Sequence, residues 1–149
     1  MGTDLMDMKI NSYIKEQFNL GNVDIKTYSP LTLAYIGDGV FELIIRSLIV
    51  GKGNTKASQL HYQTSHIVKA ETQAKLIDAL EEELTEEEAD VYRRGRNAKS
   101  PTMAKNATMT DYRKATGFEA LMGYLYLKDD FERAVELTKL GLEKANISI

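Results

Sequence analysis

A chain of 149 residues has room for one ordinary domain, which at that size buries roughly 70% of its unfolded surface. Its composition is 43% hydrophobic and 28% charged with two prolines and no cysteine, which fits a globular protein and excludes a disulfide framework, a thiolate nucleophile and Cys-ligated zinc. The formal charge of −3 at pH 7 offers a polyanion no overall attraction, so any such partner must be met by a local concentration of positive charge.

The N-terminal MGTDLMDMKI has no basic region followed by an apolar core, so no leader is expected there. Apolar runs such as LIIRSLIV, Leu43 to Val50, are broken by charge and fall short of the roughly 20 residues of a membrane span. With no cysteine and no such segment, a cytoplasmic location is expected. Helix signals recur along the whole chain and period-two alternation is nearly absent, so the expected fold class is all-α, one domain over residues 1–149.

A first helix is expected from Asp4 to Phe18, closed by the turn NLGN. Ser29 can cap a second helix with Pro30 at its first position, where a missing N–H is harmless, and the GKG at Gly51 to Gly53 stops it. Two helices with a break near Lys69 should cover Ala57 to Glu82, turning Leu60, Ile67, Ala70, Ala74, Ile77 and Leu80 inward. Thr85 and Glu88 form a capping box, opening a helix that runs through Arg94 until Gly95 and the loop RNAKSPTMAKNATM. Thr110 is the expected cap of a long helix to about Leu127. Asp129 or Asp130 starts the last helix, with Ala134, Leu137, Leu140 and Leu142 available for packing.

Two acids stand in unusual company. LAYIGDGVFELIIR, Leu33 to Arg46, and ATGFEALMGYLYL, Ala115 to Leu127, are apolar or small around most of the helix circumference, as in helices buried on all sides. Asp38 interrupts the first and Glu119 is the one charge of the second. Gly37 and Gly39 on one, with Gly117, Ala120 and Gly123 on the other, leave room for a tight crossing. Two carboxylates brought together in a partly desolvated place repel and need a positive charge between them; oxygen ligands favour magnesium or manganese. The alternative is an inward Asp38 accepting backbone hydrogen bonds, with Glu119 paired to Lys114 or Arg46. Glu42, four residues before Arg46, reads as an ordinary ion pair along one helix face.

His61 and His66 are five apart and belong to no HExxH pattern, so they read as structural or substrate-facing polar residues. No GxxxxGK[ST] or GxGxxG sequence occurs, and GKGNT at Gly51 is a helix stop. Charge is strongly segregated. EEELTEEEAD, Glu81 to Asp90, carries seven carboxylates and no base, whereas Arg93, Arg94, Arg96, Lys99, Lys105, Arg113 and Lys114 face only Asp111 within their own stretch, a net +6. Such a patch can meet a phosphate backbone, remain a solvated loop, or be neutralised by the acidic stretch.

LAYIGDGVFEL resembles the LEFLGD-type segment of the ribonuclease III catalytic domain, and ATGFEALMGYLYL resembles that family's second acidic helix, DxxEALxGAxYLD. RRGRNAKS, Arg93 to Ser100, and LHYQTSHIVKAETQA are similar to the Mini-ribonuclease III branch, and the likeness covers about Ser29 to Leu127. It implies the all-α endonuclease domain with no double-stranded RNA-binding domain, acting as a homodimer that hydrolyses double-stranded RNA with Mg2+, Mn2+ substituting, to 5′-phosphate and 3′-hydroxyl ends. Asp38 and Glu119 would be the catalytic metal ligands. Ala34 and Thr116 stand where larger members carry further acids, a reduction that belongs to the Mini branch. Arg94, Arg96, Asn97 and Lys99, then Arg93, Lys105 and Arg113, would hold the RNA. The resemblance further implies maturation of 23S ribosomal RNA precursor, with a ribosomal protein helping to present the stem. A catalytically silent double-stranded RNA-binding protein of the same fold is the alternative.

Overall fold

The computed structural model describes residues 9–99 and 108–149. Among these residues the chain forms seven α-helices and no strand: α1 Ile10–Gln17, α2 Pro30–Val50, α3 Ala57–Val68, α4 Ala70–Leu80, α5 Glu86–Asn97, α6 Met109–Leu127 and α7 Phe131–Lys144. The all-α expectation holds. No helix among the described residues is long and apolar enough to cross a membrane.

Most boundaries follow their local chemistry. Ser29 Oγ accepts from the Thr32 amide at 3.2 Å ahead of Pro30. At α5 the capping box is complete: Thr85 Oγ1 accepts from the Glu88 amide at 3.1 Å, and Glu88 Oε1 accepts from the Thr85 amide at 2.9 Å. The break at Lys69 separates α3 from α4. Two boundaries differ from expectation. Thr108, not Thr110, caps α6 by accepting from the Asp111 amide at 3.0 Å. With this cap Asp111 is the third helical residue and the acid of the positive first turn, which excludes Arg113 from it. Helix α5 also continues through Gly95 to Asn97, because the missing Cβ lets it lie directly on α6: a Cβ there would meet Ala120 Cβ at 2.8 Å and Gly117 Cα at 2.9 Å. The first helix begins at Ile10; residues 4–8 of its expected span lie outside the described residues.

Helix α6 is the axis of the fold, packed against α2, α4, α5 and α7. Phe41 and Phe118 meet edge to face, centroids 5.0 Å apart, amid a core that includes Ile45, Leu76, Ile77, Leu121, Met122 and Leu137. The crossing of α2 on α6 reaches backbone contact. A Cβ on Gly37 would stand 1.7 Å from the Glu119 carbonyl oxygen, and one on Gly123 would stand 2.0 Å from that of Leu33. The expected set of small residues is thereby corrected. Gly39 faces open space on the outer side of α2, and Gly117 accommodates the Tyr92 ring of α5 rather than α2.

Helix α7 is tied to α5 by a sunken ion pair. Arg133 Nε donates to Glu88 Oε2 at 2.8 Å, and its second nitrogen reaches Glu88 Oε1 and the Glu83 carbonyl at 3.0 and 3.2 Å. Burial alone would push the Glu88 carboxyl up, but the Arg133 and Thr85 hydrogen bonds outweigh it and hold the group below the ordinary value.

Candidate active site

The α2–α6 crossing sets Asp38 and Glu119 side by side. Gly37, which precedes Asp38, rests on the main chain of Glu119 itself, so the two acids hang from a single backbone contact. Their environments differ. Asp38 lies on the solvent side of α2, while Glu119 is half-buried. Burial pushes the Glu119 carboxyl up to about 8; Gln73 opposes the rise with a donated hydrogen bond, and the neighbouring Asp38 carboxyl adds to it.

The alternative partners considered for these acids are engaged elsewhere. Lys114 Nζ donates to Asp78 at 3.0 Å, and Arg46 pairs with Glu42 at 2.6 Å, the latter as expected. Among the described residues no Lys or Arg forms an ion pair with Asp38 or Glu119. Asp38 is exposed, which removes the reading of it as an inward, backbone-satisfied residue. Two adjoining carboxylates without a counter-charge, one of them holding its proton up to about pH 8, suit a hard divalent cation such as magnesium, which asks for few protein oxygens and keeps several waters. Asp38 and Glu119 are the residues that would hold it.

Gln73, on α4, is the member of the site that the motifs did not reveal. Its side-chain Nε2 donates to the Val68 carbonyl at 2.7 Å and to Glu119 Oε2 at 3.1 Å. The side chain is sealed in at 2% exposure, and its Oε1 is buried without a hydrogen-bond partner among the described residues. A signal was present in the sequence: Gln73 shares the inward face of α4 with Leu76, Ile77 and Leu80, positions where an amide has to find partners in the core.

The C-terminal end of α5, which carries basic side chains, is seated on α6 by Gly95, resting on Gly117 and Ala120. Arg93 and Arg94 share Asp90, the Arg94 contact at 3.3 Å. The Arg96 guanidinium lies over the Tyr92 ring, 5.5 Å from its centroid, and its Nε donates to Asn97 Oδ1 at 3.3 Å. Asn97, Lys99 and Arg113 are exposed; Lys105 lies outside the described residues. Much of the acidic stretch is paired with bases of other helices. Glu83 pairs with Lys144 at 3.0 Å, Glu87 with Lys128 at 3.5 Å and Glu88 with Arg133, so among its described ion pairs only Asp90 meets the basic cluster.

The family model of the ribonuclease III domain matches residues 31–130 of this chain. The chain belongs to the ribonuclease III family. Its similarity to curated relatives is high along most of its length: 50% identity over 123 residues to Mini-ribonuclease 3 of Enterococcus faecalis, covering 81% of this chain and 93% of the relative. Mini-ribonuclease 3 of Clostridium tetani is 47% identical over 129 residues, covering 86% and 84%, and that of a Thermoanaerobacter species is 41% identical over 138 residues, covering 93% and 97%. Membership therefore extends to the Mini-ribonuclease 3 branch. A crystal structure of a Fusobacterium nucleatum protein superposes with a TM-score of 0.74 at 28% identity, covering 82% of this chain and 99% of that one.

Within that family frame, the two positions without acids are filled by packing. Ala34 is buried with Leu33, Val91 and Ala120, and the buried Thr116 donates its hydroxyl to the Tyr112 carbonyl of its own helix at 3.0 Å. Neither can serve as an ionic ligand, and no cluster of three His, Cys, Asp or Glu suited to a metal occurs among the described residues. His61 lines a shallow cleft of about 360 Å³ between α2 and α3 with Glu42, Arg46 and Ser65, and His66 stacks on Tyr62. Both histidines lie on the exposed face of α3, not in the core.

Proposed function

We propose that this ribonuclease III-family endoribonuclease of double-stranded RNA cuts at a magnesium site held by Asp38 and Glu119, that it works as a homodimer, and that its substrate is a stem of 23S ribosomal RNA precursor presented with the help of a ribosomal protein. The observation that carries the site is the pair itself: two adjoining carboxylates without an ion-pair partner among the described residues. The ribosomal substrate and its protein partner rest on the Mini-ribonuclease III resemblance alone.

When bound, the cation supplies a Lewis acid for the scissile phosphate and lowers the pKa of the attacking water. This chain's own residues do the rest. Asp38, on the solvent side, is the carboxylate that a phosphate backbone can approach. Glu119, half-buried, keeps its proton at neutral pH until a cation replaces it. Arg94, Arg96, Asn97 and Lys99, with Arg93, Lys105 and Arg113 around them, hold sugar and phosphate oxygens of the duplex, because the deep and narrow major groove of A-form RNA admits little reading of base edges. Support for a dimer comes from the outer side of α2. Tyr35, Leu43 and Val50 are 83%, 52% and 62% exposed and fall with Gly39 along one stripe, beside Asp38. A two-fold pairing of that stripe would place two Asp38 carboxylates over one duplex, one for each strand.

The deciding measurement is cleavage of a perfectly paired RNA with and without magnesium, alongside Asp38→Asn, with the product ends resolved. The expected result is magnesium-dependent cutting to 5′-phosphate and 3′-hydroxyl ends, reduced on the order of a thousandfold or more in the variant. Unimpaired cutting by the variant would remove Asp38 from the chemistry. Firm binding without any cutting of ribosomal precursor would mean a silent double-stranded RNA binder, the role that the loss of acids at Ala34 and Thr116 would otherwise favour.

A further inference from the structure

The side chain of Gln73 crosses from α4 to the catalytic pair. Its Nε2 uses both hydrogens, one on the Val68 carbonyl at the α3–α4 break and one on Glu119 Oε2, and this double donation fixes which end of the amide is nitrogen. Oε1 is then buried without a hydrogen-bond partner among the described residues, a condition that is costly for a buried amide. Stapling the helix break does not require this residue, because Thr72 Oγ1 already donates to the His66 carbonyl across the same junction at 2.9 Å. What Gln73 adds is its grip on one oxygen of Glu119, the acid that neighbours Asp38.

We infer that Gln73 is the positioning residue of the divalent-cation site, its Nε2 locking the rotation of the Glu119 carboxylate that would hold the ion. The inference rests on the reading of Asp38 and Glu119 as that site, and goes beyond it by assigning a neutral amide to the work of holding the ligand in register. An outer partner of this kind supports affinity for the ion by orienting a ligand it does not replace. In a site with only two carboxylates, the orientation of each weighs more.

The test is a Mg2+ titration of 15N-labelled protein without RNA, followed by NMR, for the wild type and for Gln73→Met, Thr72→Val and Asp38→Asn, each checked for helicity and melting. In the wild type the Gln73 side-chain amide resonances should shift and saturate together with the backbone amides near Glu119. Gln73→Met, which keeps the volume and loses the donor, should weaken Mg2+ binding about tenfold, Thr72→Val should leave it unchanged, and Asp38→Asn should weaken it at least as much. Wild-type affinity in Gln73→Met with affinity lost in Asp38→Asn would overturn the role of Gln73 and leave the cation site standing. Equal losses in Gln73→Met and Thr72→Val would reduce Gln73 to a staple of the junction. Unchanged binding in Asp38→Asn would remove the site and the inference together. Should Gln73→Met fail to fold, the wild-type side-chain resonances decide alone, and their failure to move with Mg2+ refutes the assignment.

Discussion

The α2–α6 crossing and the attachment of α1 represent two opposite ways of holding helices in this chain. At the crossing, glycines bring two backbones into contact and there is no side chain left to yield. Helix α1 buries no residue at all. It is pinned to the α6–α7 turn by polar links: Asn11 Nδ2 to the Leu127 carbonyl at 3.4 Å, Ser12 Oγ to Asp129 Oδ2 at 2.6 Å, and an ion pair of Lys9 with Glu132. Asp129 holds a left-handed backbone, φ 64°, in the turn that closes α6. The difference teaches where geometry is set by exclusion and where by exchangeable hydrogen bonds. Asp38 and Glu119, the acids proposed to hold the cation, sit in the first kind of region.

Breaking the crossing should have the largest effect. Gly37→Ala would force α2 off Glu119 and cost roughly 3 kcal/mol or more, and at this chain length each kcal/mol lowers Tm by about 2–4 °C. A fall of about 10 °C in a thermal melt followed by circular dichroism is expected, with cleavage lost as the acids separate; an unchanged Tm would show that the backbones are not in contact. Next in size is Glu119→Gln. Folding raises the Glu119 carboxyl from 4.5 to about 8, so between those values the folded chain binds more protons than the unfolded one and stability falls as pH rises. Without divalent cation, the variant should therefore match the wild type near pH 4.5 and exceed it by about 1–3 kcal/mol at pH 9, read from urea unfolding at both pH values. A gain independent of pH would assign the effect to something other than the carboxylate. Least disruptive is Ser12→Ala at the α1 attachment, with an expected loss of about 0.5–1 kcal/mol and no change in cleavage. A loss as large as that of Gly37→Ala would erase the distinction between the two regions.

Much of this arrangement is legible in the residues themselves. Ser29 before Pro30, and Thr85 three residues ahead of Glu88, declare helix starts because the groups that satisfy free amides are adjacent in sequence. Asp38 and Glu119 stand out because each is an isolated charge in an apolar helix, and small residues beside both announce the close approach. Other features depend on what lies across the interface. Gly37 and Gly39 are equivalent by type, yet one touches α6 and the other faces open space, a difference set by the 100° turn between successive helical residues. Gly95 reads as a helix stop and is instead the contact through which α5 rests on α6. Gln73 finds Glu119 from 46 residues away, and no local pattern encodes that meeting. Thr108 and Thr110 both cap well in isolation; the earlier cap keeps Arg113 out of the first turn, while Asp111 falls in it with either.

Helix α5 carries Glu86, Glu87 and Glu88 in its first turn and Arg94 and Arg96 in its last, each matching the helix dipole at its own end. The consequence reaches beyond stability. A nucleic acid approaching through solution experiences a torque before it touches anything, because one end of this rod repels phosphate and the other attracts it. Within a screening length of about 8 Å at physiological salt, encounters in the wrong orientation are turned away. A chain whose total charge is negative can in this way pre-align a duplex along one axis.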